Sequence, residues 1–270
     1  GLTLALVDFR DAMPPALGRT LASVQLVPAA MGAVAGLAGA FVVLASLLLL
    51  TLLFGRVYCS VLCPLGILQD LVARMRRGVR GSERVLPCAR PASMLRYGIL
   101  GLTLLGIAVG AGGFTLMLAD PYSTFGRIVV ALGRPLVVGI NNVGVGASEI
   151  MGSTFLYRVN PPWLGWPAVA GALAALALVA GLAWWRGRLF CNTVCPVGTA
   201  LGLISRHAAW RLRIRAEACV KCGDCLRACK AQCIDLRTGE IDGSRCVACF
   251  NCISACEEHG IGHAWAWRRP

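Results

Sequence analysis

The sequence predicts a membrane-embedded, all-α helical bundle followed by a small α+β domain rich in cysteine. Its 270 residues are 57% hydrophobic and only 14% charged, and its mean hydropathy is +0.70. A soluble domain of this length does not have such a composition. Nine of the 14 cysteines lie between residues 219 and 256. Together these observations exclude a disordered tail, a cytosolic globular enzyme and a miniprotein held together by disulfides.

The helical bundle is predicted from three long uncharged stretches. They are Thr20 to Gly55, Tyr97 to Ala119 and Val159 to Trp185. Each exceeds the roughly 20 residues that cross the hydrocarbon core, and only helices satisfy their backbone groups in lipid. We therefore expect about three membrane spans, near Pro28 to Phe54, Leu95 to Leu118 and Trp163 to Trp185.

The rest of the chain is assigned around these spans. Residues 1–27 are interpreted as an N-terminal stub and interfacial segment on the periplasmic side, and residues 28–210 as the transmembrane region. Residues 211–260 form the predicted cysteine-rich domain, and residues 261–270 a basic aromatic tail. The segment around Asp120 to Arg127 is expected in a periplasmic loop with a short helix, the alternative being an interfacial or re-entrant segment.

The positive charge indicates the orientation of the bundle. Twenty-one of the 26 lysine and arginine residues lie in residues 55–96 and 186–270. The positive-inside rule assigns these parts to the cytoplasm. The net charge of +13 is then explained by topology. No nucleic-acid-binding module is recognisable, so we expect the lipid bilayer and no nucleic acid as a partner.

The C-terminal domain contains the motif C-x2-C-x2-C-x3-C twice. Three thiolates at this spacing bind three corners of a [4Fe-4S] cluster, and in two-cluster ferredoxins the fourth ligand comes from the other motif. The first predicted cluster would be bound by what we call the first cysteine set, Cys219, Cys222, Cys225 and Cys256. The second would be bound by the second cysteine set, Cys246, Cys249, Cys252 and Cys229. The sequence therefore predicts a two-cluster ferredoxin-like domain.

The alternative for these cysteines is structural zinc, which four thiolates also bind. Zinc sites need neither a third cysteine in each loop nor a duplicated set of four, and disulfides are not expected on the reducing side of the membrane. Lys230 and Glu257 replace the proline that usually follows the fourth cysteine. Cys233 is interpreted as a buried thiol, with a ligand role as the alternative, and Cys88 is unassigned.

A second duplication occurs where two predicted spans end. Gly55 to Gly66 and Gly187 to Gly198 share the pattern G-R-aliphatic-aromatic-C-x-x-aliphatic-C-P-aliphatic-G. We call these segments the first and second exit units and interpret them as two copies of one element. Proline suits the first turn of a helix, so Cys63 and Cys195 are expected at helix N-termini.

The exit units contribute four further thiols, Cys59, Cys63, Cys191 and Cys195. A helix N-terminus and the nearby Arg56 and Arg188 both favour a thiolate or an anionic cluster. The four thiols could hold a third metal centre, act as redox-active dithiols or simply pack. The C-x3-C spacing alone does not decide among these three interpretations.

The combination resembles the membrane-bound polyferredoxin family with paired C-x3-C-P motifs, over Pro28 to Cys256. That family includes the NapH-type quinol dehydrogenase subunit of periplasmic nitrate reduction and the C-terminal half of the NosR-type regulator. The resemblance implies electron transfer at the bacterial inner membrane, between a cytoplasmic or quinol donor and a membrane or periplasmic acceptor. It also implies that partners are the quinone pool or redox proteins, with the four exit-unit thiols at the family's C-x3-C-P positions.

Other cofactors are not indicated by the sequence. It has no C-x2-C-H haem motif, and no flavin-binding motif is found. His207, His259 and His263 lie outside the predicted spans, so no quinol site is identifiable. We therefore expect an electron carrier with two [4Fe-4S] clusters, the alternatives being an enzyme that oxidises quinol or reduces a metal ion, and a redox or iron sensor or assembly factor.

Overall fold

The computed structural model describes residues 14–80, 92–109, 120–150, 157–160 and 164–266. Its helices are α1 Pro15–Ser23, α2 Leu26–Val34, α3 Ala38–Phe54, α4 Val57–Val61, α5 Pro64–Arg80, α6 Ser93–Ala108, α7 Pro121–Ile128, α8 Arg134–Ile150, α9 Trp166–Arg186, α10 Leu189–Thr193, α11 Pro196–Ser205, α12 Asp224–Ala228 and α13 Asn251–Ser254. Its strands are β1 Trp210–Ile214, β2 Ile234–Asp235, β3 Glu240–Ile241 and β4 Ile261–Trp265. Cys88, residues 1–13 of the N-terminal stub and residues 267–270 lie outside the described residues.

The first predicted span is two helices. Gly36 has φ 80°, and the Leu37 amide donates to the Gly32 carbonyl, so α2 ends before α3 begins. Glycine reaches this left-handed backbone region without the steric cost that a Cβ atom brings. Helix α3 keeps 17 residues, and the prediction of one helix over Pro28 to Phe54 is wrong.

The segment predicted as a loop around Asp120 belongs to a long helix. Helix α7 continues through a π-helical turn, Val129–Gly133, into α8. The Ser123 amide donates to Asp120 Oδ2 at 2.7 Å, which caps the helix. Arg127 and Arg134 interrupt its apolar sequence, so a search for uncharged runs does not find it. The loop prediction is therefore wrong.

Two described helices are long and apolar enough to cross a membrane. They are Pro121–Gly146, with a mean hydropathy of 1.6, and Trp166–Arg186, with 2.0. Helices α3 and α6 are apolar but have only 17 and 16 residues. The span predicted over Leu95 to Leu118 begins as α6, and residues 110–119 lie outside the described ranges. The helical class is thus supported, while the count of three spans is not confirmed.

The long helix begins beside the first exit unit. Helix α7 packs against α5 and α9. Burial, and to a smaller extent the nearby Asp120, raises the pKa of the Tyr58 hydroxyl. The sequence had placed Asp120 at the end of the bundle opposite to the cysteines. The structure instead places it at the end that carries them.

The C-terminal domain closes with a strand that sequence reasoning assigned to a tail. Strand β4 pairs with β1 in antiparallel register, from Trp210 opposite Trp265 to Ile214 opposite Ile261. The rings of Trp210 and Trp265 contact edge to face, 5.3 Å between centroids. Cross-strand aromatic pairs stabilise such a ribbon. The prediction that residues 261–270 are a separate tail is therefore wrong for Ile261–Trp265.

Candidate iron–sulfur and four-thiol sites

Both exit units have the same local fold. The amide of Cys63 donates to the Tyr58 carbonyl, and that of Cys195 to the Phe190 carbonyl, each at 2.9 Å. The glycines that open the units, Gly55 and Gly187, have positive φ values of 83° and 64°. These angles explain why both copies begin with glycine.

The cysteine–proline pair of each unit starts a helix, as predicted. Cys195 caps α11, with its Sγ accepting from the Gly198 amide at 3.3 Å. A Cβ atom on Gly198 would collide with the Cys191 carbonyl oxygen, and one on Gly66 with the Cys59 carbonyl oxygen. The last glycine of the motif therefore lets the new helix pack directly on the preceding turn.

The two units interlock through exchanged arginines. Arg56 Nη1 donates to the Gly198 carbonyl of the second unit at 2.7 Å, and Arg188 Nη1 donates to the Cys59 carbonyl of the first. Both side chains are almost completely buried, with exposed fractions of 0% and 1%. Each copy therefore completes the other.

The exchange brings the four exit-unit thiols into one buried group, which we call the four-thiol site. All four act electrostatically on one another. Burial raises the pKa of Cys59 to about 11, against the opposing charge of Arg56, and it also raises the pKa values of Cys63 and Cys195. Burial therefore favours the neutral thiol at these three positions.

Sequence reasoning missed Gln69, the amide that touches the four-thiol site. Its Nε2 donates to Cys191 Sγ at 3.1 Å, while its buried Oε1 has no hydrogen-bond partner among the residues that the structure describes. The equivalent position of the second copy holds Leu201. An isolated glutamine in an amphipathic helix gives no sequence signal for such a contact. The site is therefore asymmetric although its cysteines are duplicated.

Sequence reasoning also missed Asp70, which forms an ion pair with one of the two arginines. Its carboxylate accepts from Arg188 Nε and Nη2, each at 2.7 Å, and from Lys230 Nζ at 2.9 Å. Burial alone would raise its pKa, but the Arg188 and Lys230 hydrogen bonds hold the pKa of Asp70 below its usual range. Asp70 is the only acidic residue in residues 55–80. Its isolation indicates a specific role, but the sequence does not indicate which residue it binds.

The charge of Arg56 is balanced differently. Its hydrogen bonds go to neutral oxygens: the Asn192 side-chain oxygen and the backbone carbonyls of Gly198, Arg245 and Cys246. The position equivalent to Asp70 in the second copy is Gly202. A Cβ atom there would collide with Arg96 and the Ser244 carbonyl. The guanidinium of Arg96 therefore lies beside the C-terminal domain at the position where the first copy has a carboxylate.

The eight ferredoxin-motif cysteines line two separate cavities. A cavity of about 340 Å³ is lined by the first cysteine set, together with apolar residues that include Ile214 and Ile261. A cavity of about 300 Å³ is lined by the second set, together with Leu212 and Val247. The grouping of cysteines around each cavity is the crossed one that the spacing indicates. Four converging thiols fit the donor set of a [4Fe-4S] cluster.

The two cysteine loops share an unusual backbone. The residues on either side of the second cysteine have positive φ in both motifs: Lys221 at 58° and Gly223 at 88° in the first, Ala248 at 48° and Phe250 at 58° in the second. For residues other than glycine this conformation costs about 1–3 kcal/mol each. It turns each loop back on itself, so that its three cysteines face one cavity.

Cys233 also lines the second cavity. Its Sγ lies 3.8 Å from Cys229 Sγ, and it is hydrogen-bonded to Cys246 as well. The hydrogen bond from Cys233 lowers the pKa of Cys229 to about 6. The sequence predicted a buried thiol, and Cys233 is buried, but its place between two members of the second set could not be read from spacing.

Single-ion binding is a separate question from these cavities. Within the described ranges, no group of three or more His, Cys, Asp or Glu side chains is arranged to hold one metal ion. The two cavities lined by cysteine are instead suited to a multinuclear cluster.

A family described as 4Fe-4S binding domain matches the chain twice, over residues 35–82 and 165–215. Each match contains one exit unit, and both end before Cys219. The exit units are therefore two copies of one iron–sulfur-associated domain, and the ferredoxin-motif loops lie beyond the matched residues.

Several curated proteins are similar to the chain. The ferredoxin-type protein NapH of Haemophilus influenzae is 30% identical over 177 residues, 64% of this chain and 47% of its own length. The methylamine utilization ferredoxin-type protein MauN of Methylobacillus flagellatus is 26% identical over 180 residues, 65% and 48% respectively. YccM of Escherichia coli is 24% identical over 214 residues, 76% and 51%. The chain spans about half the length of the curated relatives it matches.

No solved structure matches the chain. The family match and the ferredoxin-type relatives agree with the paired C-x3-C-P units and the cysteine-rich C-terminal domain. The chain is therefore similar to the NapH-type polyferredoxins, and its two matched segments resemble a 4Fe-4S binding domain.

Proposed function

We propose that the chain is a membrane-anchored electron-transfer protein with two [4Fe-4S] clusters in its C-terminal domain. It would pass electrons between a cytoplasmic or quinol donor and a membrane or periplasmic acceptor. The observation that carries the proposal is the pair of cavities, each lined by four cysteines drawn from both motifs. Its location would be the bacterial inner membrane, with the C-terminal domain in the cytoplasm.

The residues that would hold the clusters are the first and second cysteine sets. When bound, a [4Fe-4S] cluster supplies one-electron chemistry at a potential set by its surroundings. The chain's own contribution is to supply thiolates and to exclude water. Ile214 and Ile261 line the first cavity, and Leu212 and Val247 the second. A low dielectric strengthens the effect of every nearby charge.

The two cavities differ in their access to solvent. Cys222 of the first set is exposed, and Val220 beside it is 65% exposed. The second set is covered by the exit units, since Arg56 binds the Cys246 carbonyl and the Arg188 amide donates to the Lys230 carbonyl. A soluble redox partner would therefore dock at the first set, and the second set would connect to the membrane region.

We propose a third metal centre at the four-thiol site, shared by the two exit units. Each copy contributes two thiols, and a cubane takes four. The family description of both matched segments as 4Fe-4S binding supports this over redox-active dithiols. The interlocked arginines explain how two half-sites form one site.

Iron and acid-labile sulfide per chain, with EPR of the reduced protein, test both proposals. About eight irons support the ferredoxin-domain clusters alone, and about twelve add the third centre. Changing Cys59, Cys63, Cys191 and Cys195 together to serine should remove only the additional four irons. Retention of all iron in that variant would contradict the third centre, and an iron-free purified protein would contradict the whole proposal.

A pocket near the second set favours quinol as the direct donor, the second candidate function. The pocket lies at the end of α3 and is lined by Phe54, Trp210, Phe250, His263 and Cys246. The His263 ring stacks on Trp210 with centroids 5.7 Å apart. Burial lowers the pKa of His263, which leaves a neutral imidazole at pH 7. A quinol loses two protons with its two electrons, and the imidazole of His263, which is exposed, can accept one proton and release it to solvent before it accepts the second.

Purified protein in liposomes with a quinol and no other protein tests that second function. Cluster reduction by the quinol, slowed in His263→Leu but not in the exposed control variant His207→Leu, would support it. Clusters that only dithionite reduces would leave the carrier function and reject direct quinol oxidation.

A further inference from the structure

The Arg56 guanidinium joins the first exit unit to the second cysteine set. Its Nε donates to the Cys246 carbonyl at 3.3 Å, and its Nη2 donates to the neighbouring Arg245 carbonyl. On the opposite side its Nη1 binds the Gly198 carbonyl in the second exit unit. One fully buried cation therefore lies between the four-thiol site and a predicted cluster-ligand loop.

The electrostatic influence of Arg56 reaches both sides. Arg56 Nε binds the backbone of Cys246 in the second cysteine set, and Arg56 Nη1 binds the second exit unit, whose Cys191 and Cys195 belong to the four-thiol site. Burying a cation is costly unless an anion or oriented dipoles compensate it. The oxygens bound to Arg56 supply dipoles but no charge, so an anionic centre at the second set would complete the compensation.

We infer that Arg56 raises the reduction potential of the centre bound by the second cysteine set. The inference depends on the proposed function, because it concerns a cluster at that set. Reduction adds one negative charge, and a fixed cation in a low-dielectric region stabilises the reduced form more than the oxidised form. Local charge and hydrogen bonding are among the factors that set cluster potentials. The first set has no comparable buried cation among the described hydrogen bonds to its loops.

The other exit unit provides the contrast. Arg188 is buried to the same degree, but two of its nitrogens bind the Asp70 carboxylate, which also binds Lys230. The duplicated motif thus supplies two arginines at equivalent positions, of which one is paired with a carboxylate and the other binds only neutral oxygens beside the second set. The asymmetry sets the two arginines apart in function.

Redox titration of the full chain in detergent, followed by EPR, tests this inference. Arg56→Gln removes the charge, and we expect the midpoint potential of the second centre to fall while that of the first centre stays unchanged. Arg56→Lys keeps the charge and should give a smaller fall. The first centre is an internal control in every sample, because both centres are measured in the same protein.

Two further variants keep Arg56 in place. Asn192→Asp puts a carboxylate on Arg56 Nη2, as Asp70 does for Arg188, and should also lower the potential of the second centre. Asp70→Asn leaves the positive charge of Arg188 near Lys230 without its carboxylate partner and should raise the potential of the second centre. Should Arg56→Gln fail to fold, the opposite signs expected for these two variants decide the matter.

The outcomes separate this inference from the proposed function. Two reducible centres with unchanged potentials in Arg56→Gln, or equal shifts of both centres, would overturn the role of Arg56 and leave electron transfer intact. Wild-type protein without any EPR-active cluster would overturn the proposed function itself.

Discussion

Replacing Gly198 by alanine should destabilise the interlocked exit units. The added methyl group would collide with the Cys191 carbonyl oxygen, which is backbone and cannot rotate away, and would stand 3.6 Å from Arg56 Nη1. Either α11 moves away from the preceding turn, or that turn opens. Both movements disturb the hydrogen bond from the Gly198 amide to Cys195 and the one from Arg56 to the Gly198 carbonyl.

The size of the effect follows from these contacts. Overpacking a dense core costs about 1–3 kcal/mol, and loss of an N-terminal cap costs about 1 kcal/mol more. The better helix propensity of alanine returns up to about 1 kcal/mol. We therefore expect a net loss of about 1–3 kcal/mol in the free energy of unfolding.

The assay is thermal unfolding in detergent, compared with Gly181→Ala. Gly181 lies in α9, and a Cβ atom there meets nothing within 4 Å. The control should unfold at the wild-type temperature or slightly above it, whereas Gly198→Ala should unfold lower and lose iron on purification. Equal unfolding temperatures for the two variants would refute the close packing of the exit unit and the reasoning built on it.

Three further outcomes are expected. Cys222→Ala should abolish the EPR signal of the first centre and unfold part of the C-terminal domain, and retained far-UV structure after iron chelation would contradict a cluster-dependent fold. Asp70→Asn should lower stability at pH 7 by about 1–3 kcal/mol, because Arg188 loses its partner. Since the pKa of Asp70 is lowered on folding, its stabilisation is complete above about pH 4 and is lost on acidification, so the variant and wild type should converge in acid denaturation. Gln69→Leu removes the buried Oε1 together with the hydrogen bond to Cys191. It should leave the unfolding temperature unchanged and alter the iron content or redox behaviour of the four-thiol site. A changed unfolding temperature with unchanged redox behaviour would indicate a packing role.

The sequence predicted best what depends on local spacing. Three cysteines within seven residues face one cavity because the loop between them is short. The grouping of Cys256 with the first set was expected because two-cluster ferredoxins exchange the fourth cysteine between their motifs. The helix start at Cys195 could be predicted for the same reason, since proline at the next position is a local signal.

Features that depend on distant contacts were not predictable. The bond from Arg188 to Asp70 joins positions 118 residues apart, and neither residue indicates its partner. The break at Gly36 and the continuation of α7 past Arg127 were misjudged because a count of charges measures composition and not backbone geometry. Strand β4 was missed because its partner, β1, precedes it by about 50 residues.

The exchange of arginines between the exit units constrains the order of biogenesis. Arg56 is synthesised 142 residues before Gly198 and 190 before Cys246, and both are needed to satisfy it. Until the second exit unit has been synthesised, Arg56 lacks carbonyl groups that bind it in the folded protein, and Cys59 and Cys63 are open to oxidation. Under the proposed function, both halves would therefore have to be inserted before the four-thiol site binds metal, and a nascent chain stalled before Gly187 should be a substrate for quality-control proteolysis rather than a half-active protein.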